Sequence, residues 1–224
     1  MQTLICEGLI EKEPSRLRYR PTAAIQGLSQ GFQNHDRLVA AARSHIVDLT
    51  KTLLWPVSVT TRVGQYMVVR DSTHTLTSMT FNNYHPGYQL PIMGSAAGRA
   101  YLAYCTDEER QRLLEGLRGT PQYRDDDMVS LIESNFLIEE IRRQKYATKV
   151  KNSYIENPGK TSSISVPLMD GETVCGALIM SYFTSAMRMS EAETRLAPAL
   201  IRAAESIQMS LLSNVECEEG RLHA

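Results

Sequence analysis

From Trp55 the chain alternates with a period of two. Val57, Val59 and Thr61 share one side, a turn follows at Val63-Gly64-Gln65, and Tyr66 to Arg70 runs back. This pattern predicts a β-hairpin with one covered face. It recurs in Ser162–Met169 and Thr173–Phe183, joined at Asp170-Gly171. A third strand is expected over Leu76–Phe81 and another over Tyr146–Val150.

Elsewhere the period is helical. Leu38, Ala42, His45-Ile46 and Leu49 form a stripe in a stretch from Pro21 or Thr22 to about Leu54, with a soft break near Gly31. Leu196, Leu200, Ala203, Ile207 and Leu211 form another in a last helix to about Asn214, which Pro198 should bend. Capping boxes are expected at Thr106/Glu109, opening a helix to Leu117, and at Ser190/Glu193, opening the last helix. A helix is expected from Ser95 to Tyr104, and another from Met128 to Gln144 behind Asp125-Asp126-Asp127. Thr3–Leu9 is helical with Gly8 as C-cap, and a small hairpin turns at Glu13-Pro14-Ser15. The polar tail after Asn214 should fray.

The fold class that follows is α/β in the α+β sense. A mainly antiparallel sheet is flanked by helices and preceded by a helix–hairpin piece and linker helices. The expected division is 1–21, 22–54, 55–214 and a tail at 215–224.

Composition narrows the function. Apolar residues make up 42% of the 224, enough for a sizeable core. With Lys+Arg 24 against Asp+Glu 25, any nucleic-acid surface must be local. Cys6, Cys105, Cys175 and Cys217 form no C-x-x-C pair and read as free thiols of a reducing compartment. With no signal peptide and no membrane-length apolar run, a cytoplasmic protein without a membrane partner is expected.

Enzyme chemistry finds no support. Gly94-Ser95-Ala96-Ala97-Gly98 is not the G-x-S-x-G elbow, and there is no phosphate loop and no H-E-x-x-H. The five histidines show no metal spacing, so no cofactor is expected. Binding chemistry is more visible. Gly94, Ser95 and Ala96 open a helix whose backbone N–H groups could meet an anion, or serve simply as a cap with close packing. Trp55, Phe81, Tyr84, Tyr88 and Met93 could wall a pocket for a flat ring; Trp55 and Phe81 could equally be plain core. His85, before Pro86 in a loop, reads as exposed. Ser163 and Ser181 interrupt apolar strands, and an inward hydroxyl needs a partner. Arg16, Arg18 and Arg20, with Lys12 and Tyr19, could contact phosphates or merely guard a hairpin edge.

Three stretches together resemble the IclR family of bacterial transcription regulators: GLIEKEPSRLRYRP, YQLPIMGSAAGRAYLAYCTDEER and SSISVPLMDGETVCGALIMSYF. LLWPVSVTTRVGQYMVVRDSTH and SYFTSAM look closer to the branch that regulates aromatic-acid catabolism and includes hydroxyphenylpropionate regulators. The resemblance implies a winged helix-turn-helix binding operator DNA as a homodimer or tetramer. It implies a GAF-like effector domain for a small organic or aromatic acid. It also implies that this chain starts inside the winged domain, with its N-terminal part missing, so that DNA is a partner of the intact protein. Arg16, Arg18 and Arg20 would lie on the wing. Gly94, Ser95, Ala96, Ser163, Ile179 and Ser181 would fall at the effector pocket, and Ile179 would make it more apolar. The competing class is a stand-alone GAF-type sensor or interaction module without DNA binding.

Overall fold

The computed structural model describes residues 2–12, 19–22, 24, 33–80, 84–118, 132, 135–148 and 160–222. The chain divides into two compact units, 1–37 and 38–224.

In the first unit, α1 (Gln2–Cys6) ends at Gly8, whose φ is +66°. The Gly8 N–H donates to the Ile5 carbonyl and the Leu9 N–H to that of Leu4. Glycine supplies the left-handed geometry at no steric cost. β1 (Ile10–Lys12) and β2 (Tyr19–Pro21) then pair antiparallel, with Glu11 opposite Arg20. The expected turn at Glu13-Pro14-Ser15 lies outside the described residues.

The second unit is built on a six-stranded antiparallel sheet. Its strands are β3 (Val57–Val63), β4 (Tyr66–Ser72), β5 (Gln89–Pro91), β6 (Ala147–Thr148), β7 (Thr161–Asp170) and β8 (Thr173–Phe183). Their order across the sheet is β5-β4-β3-β8-β7-β6. Gly64 and Gly171 turn the two hairpins with φ near +60°. Gly176 lets β8 lie close to β3, since a Cβ there would stand 2.4 Å from the Thr60 carbonyl oxygen.

One face of the sheet is covered by α2 (Gln33–Leu53) and α7 (Ala197–Leu222). Leu38, Ala42 and Ile46 from α2, and Leu200, Ile207 and Leu211 from α7, bury against Val57, Val59, Ile164, Val166, Leu178, Met180 and Tyr182. The opposite face is covered by α3 (Ala96–Tyr104), with α4 (Asp107–Arg118) and α5 (Phe136–Gln144) completing that layer. Its core holds Met67, Met93, Ala96, Leu102, Ile141, Ala177 and Ile179.

Five expectations are corrected. No strand forms over residues 76–80. The Thr73 hydroxyl bonds both the N–H and the carbonyl of Val57, and the chain turns into a short 3-10 helix at His74–Leu76. Such side-chain bonds to the backbone compete with ladder formation. Gln89–Pro91 takes the free edge of β4 instead. Ser190 is not a cap: α6 (Met189–Arg195) starts one residue earlier, and the Ser190 carbonyl accepts from Thr194. The helix breaks at Leu196 rather than bending at Pro198. Proline falls in the first turn of α7, where its missing N–H removes no helical bond. Backbone after Asn214 is helical as far as Leu222 rather than frayed. Finally, α5 starts at Phe136 behind a left-handed Asn135, so the helix ending at Gln144 is shorter than expected; Met128 and the acids before it lie outside the described residues.

Candidate functional site

Strand register brings the polar positions together. Ser72 on β4 lies opposite Ser58 on β3, Ser58 opposite Ile179 on β8, Ile179 opposite Ser165 on β7, and Ser165 opposite Ala147 on β6. The row beside it runs Val69, Thr60, Ala177 and Pro167. Ser163 and Ser181 face each other one step further along. Alternation sends all of these to the face covered by α3, while Val57, Ile164, Leu178 and Met180 turn to the α2/α7 side.

The hydroxyls are buried and mostly bonded. Ser58 donates to Ser72 over 3.0 Å, Thr60 to the Ala177 carbonyl over 3.0 Å, and Ser165 to the Leu178 carbonyl over 2.9 Å. Ser163 and Thr60 are 5% and 0% exposed. A buried hydroxyl is expensive without a partner, so such a face is either internally satisfied or built for a ligand.

Ser95 caps α3, accepting the Gly98 N–H at 3.0 Å, and its own N–H donates to the Pro91 carbonyl. That bond does not use the Ser95 hydroxyl proton. Gly98 is required here: a Cβ would sit 1.8 Å from the Ile92 carbonyl oxygen. Buried Arg99 binds the carbonyls of Met93 and Thr148, which fixes the 92–95 loop against β6. Below it, Tyr101 donates to Glu109 at 2.8 Å and accepts from Arg62, tying α3 and α4 to β3. Burial pushes the Tyr101 hydroxyl up to about 12. Burial, helped by the Glu109 charge, pushes the Cys105 thiol up to about 11, the opposite of a reactive cysteine.

The sequence candidates are therefore distributed as follows. Met93, Ala96 and Ile179 share one core, with Gly94 and Ser95 buried at its edge. Ser181 and Tyr84 line a small crevice of about 10 Å³ with Pro56, Met79, Thr80 and Phe183, room for about one water. Tyr88 stacks edge-on to Tyr84 at 5.4 Å. Trp55 stands apart: it packs edge-on to Phe183 and Tyr182 in the α2/α7 core, on the other side of the sheet from Ile179. His85 is exposed. Phe81, Arg16 and Arg18 lie outside the described residues. Arg20 is described, and its guanidinium pairs with Glu11 at 2.6 Å. A larger hollow of about 370 Å³ beside α4, lined by Asp107, Arg110, Glu115 and Asn135, holds none of the candidates.

Ser58, Thr60, Ser72, Ser165 and Arg99 were not among the candidates. Their signal was present in part: Ser58 and Thr60 alternate with Val57 and Val59, as Ser163 and Ser165 do with Ile164 and Val166. Among the described residues no cluster of metal-ligating side chains occurs, and no helix is long and apolar enough to cross a membrane.

Residues 32–209 match the family described as Bacterial transcriptional regulator IclR C-terminal. The fold is similar to that of an IclR-family transcriptional regulator from Brucella abortus, with a TM-score of 0.73 at 20% identity over 94% of this chain and 77% of that one. It is similar to IclR of Thermotoga maritima, with a TM-score of 0.66 at 20% identity over 94% and 83%. It also matches the C-terminal domain of the E. coli transcriptional regulator KdgR, at 0.62 and 17% identity over 78% and 98%. The α3-covered sheet is thus of the GAF-like effector-domain type.

Proposed function

Because the chain belongs to the IclR family of bacterial transcriptional regulators, we propose that the sheet face under α3 receives a small carboxylic or aromatic acid. The bound acid then alters how the intact protein, as a homodimer or tetramer, holds operator DNA. The observation that carries this reading is the concentration of buried hydroxyls, from Ser58 to Ser163, on the one face capped by the N-terminus of α3. The opposite face is mostly apolar, with Thr61 and Ser162 its buried strand hydroxyls among the described residues.

In this reading the carboxylate meets the Ser95 hydroxyl proton and free N–H groups of the first turn of α3. Ile179 and Met93 contact the apolar body, Ser163 and Ser181 its polar edge, and Tyr84 with Tyr88 the outer wall. Regulators of aromatic-acid catabolism are the branch whose ligands suit this mix of apolar and hydroxyl groups. Operator contact falls to Arg20 on β2 and, by the sequence resemblance, to Arg16 and Arg18. An effector changes DNA binding only through its different affinity for the two states.

Thermal melting against benzoates, phenylpropionates and short keto or hydroxy acids tests the reading. A true ligand at 100 times its dissociation constant adds about 2.7 kcal/mol of stability. Ser95→Asp abolishes that gain by charge repulsion while the fold survives. A melting curve unmoved by every acid removes the proposed chemistry, and unchanged affinity in the Asp variant removes Ser95.

A further inference from the structure

The end of β4 and the turn after it belong to two surfaces at once. Ser72 faces the hydroxyl side: its oxygen accepts from Ser58 at 3.0 Å and from the His74 N–H at 3.3 Å. Its neighbours face α2. Asp71 takes both of its contacts with Arg43 through one guanidinium nitrogen, at 2.9 and 3.1 Å. The Thr73 hydroxyl meets that of Thr50 at 2.6 Å, inside the core. Thr77 donates to the Leu54 carbonyl at 2.6 Å, where α2 closes on a non-glycine residue at φ +67°. That left-handed leucine is held by its surroundings rather than by its own preference. Three points along the C-terminal half of α2 and its end, Arg43, Thr50 and Leu54, are thereby tied to one short segment.

Two further features mark the segment as poised. The ladder between β3 and β4 slips between Val59 and Thr60, so Arg70 is an extra residue just ahead of Asp71. Just behind, the His74 Nδ1 is buried with no hydrogen-bond partner among the described residues. A bulge lets the strand end shift without moving its neighbours, and an unpaired buried nitrogen gives up little when its surroundings change.

We infer that residues 71–77 transmit the state of the hydroxyl face to α2. The inference rests on the reading of that face as the effector site. A ligand acceptor that takes the Ser58 hydroxyl proton displaces the Ser58–Ser72 bond. Ser72 cannot move without Asp71 and Thr73, and these carry Arg43 and Thr50 of the helix. The bulge at Arg70 takes up the change, leaving β3 and β8 in register. Coupling of this kind needs contiguous packed or bonded groups, and here every link has a stated distance.

Amide hydrogen exchange on the full chain is the test. Ser58→Ala removes one bond to Ser72 and speeds exchange between Arg43 and Leu54 by about threefold or more. Ser72→Ala serves in its place should the first variant not fold. In a background carrying Asp71→Asn, Thr50→Val and Thr77→Val, whose cooperative melting shows it folded, the same change adds nothing. Ser163→Ala, on the same face but away from β4, leaves α2 at its native rate. An equal acceleration in both backgrounds, no acceleration in the native one, or an equal effect from Ser163→Ala overturns the inference. A second arm adds benzoate or 3-phenylpropionate. A probe that alters α2 exchange in the native chain but not in the untied one, with dissociation constants within about threefold of each other, supports both readings. If no acid moves the melting curve while the first arm behaves as stated, the effector chemistry falls and the transmission stands.

Discussion

The two faces of the sheet share strands, length and register, yet they are built from different chemistry. Toward α2 and α7 the strands present Val57, Val59, Ile164, Val166, Leu178 and Met180, buried and apolar, beside the fewer buried hydroxyls of Thr61 and Ser162. Toward α3 they present Ser58, Thr60, Ser163, Ser165 and Ser181 around Ala177 and Ile179. Both faces exclude water, so exposure does not explain the difference. Burial of apolar surface stabilises the first face in proportion to area, at roughly 25 cal/mol per Å². The second face gives up part of that stabilisation to keep hydroxyls, each of which must find a partner. Stability is concentrated on one side; under the proposed function, recognition falls to the other.

The sharpest way to break this comparison is to cut each face equally. Leu178→Ala, on the packing face, costs about 3 kcal/mol in denaturant unfolding, because the dense core cannot close the cavity. A loss below about 1 kcal/mol would mean that this face is not the stabilising one. Next comes the approach of α3 to the loop before it. Gly98→Ala drives a methyl group into the Ile92 backbone and costs about 2 kcal/mol in the same assay, since backbone cannot step aside as a side chain can. An unaffected variant would show that α3 is free to shift.

The third prediction concerns the polar brace. The folded-state ionisation of Tyr101 is raised above that of the unfolded chain, so its contribution is fully present below pH 10 and is lost as pH rises toward about 12. Alkaline destabilisation on the order of 2 kcal/mol across that window is expected in the native chain and is smaller by that amount in Tyr101→Phe. Parallel pH profiles for the two proteins would show that Tyr101 ionises freely. The smallest effect falls on the hydroxyl face. Ser165→Ala costs about 1 kcal/mol or less of stability yet weakens binding of any acid that stabilises the chain. Val166→Ala, one residue away on the other face, does the reverse. If both act alike on binding, the division of labour between the faces fails.

Much of the scaffold was legible in the sequence. The stripes Leu38-Ala42-Ile46 and Leu200-Ile207-Leu211 lie buried where their helical spacing put them. The two hairpins turn at Gly64 and Gly171 as expected. The cap at Ser95 was visible because a small polar residue preceded a run of alanines. The misses have a common origin. Gln89–Pro91 is a strand only because β4 offers an open edge; its sequence carries no alternation. Residues 76–80 have strand-like composition, yet the Thr73 hydroxyl diverts the chain before they can pair. Trp55 looked suited to a ring pocket, but its position just ahead of β3 sends it to the apolar side.

By itself the sequence determined the periods, and with them the identity of most helices and strands. Period is a property of neighbouring residues, and local sterics enforce it. It also determined that Ser58 and Thr60 on β3, and Ser163 and Ser165 on β7, share one side, with Val57, Val59, Ile164 and Val166 on the other. What only the tertiary structure decided is that the hydroxyl side is buried, and that Ser72, Ser58, Ile179 and Ser165 stand in one row. Register between strands far apart in the chain depends on turns, bulges and the close passage at Gly176, none of which acts within a local window. The ties from residues 71–77 to α2 belong to the same class. They join groups more than twenty residues apart, and only the packed fold brings them within reach.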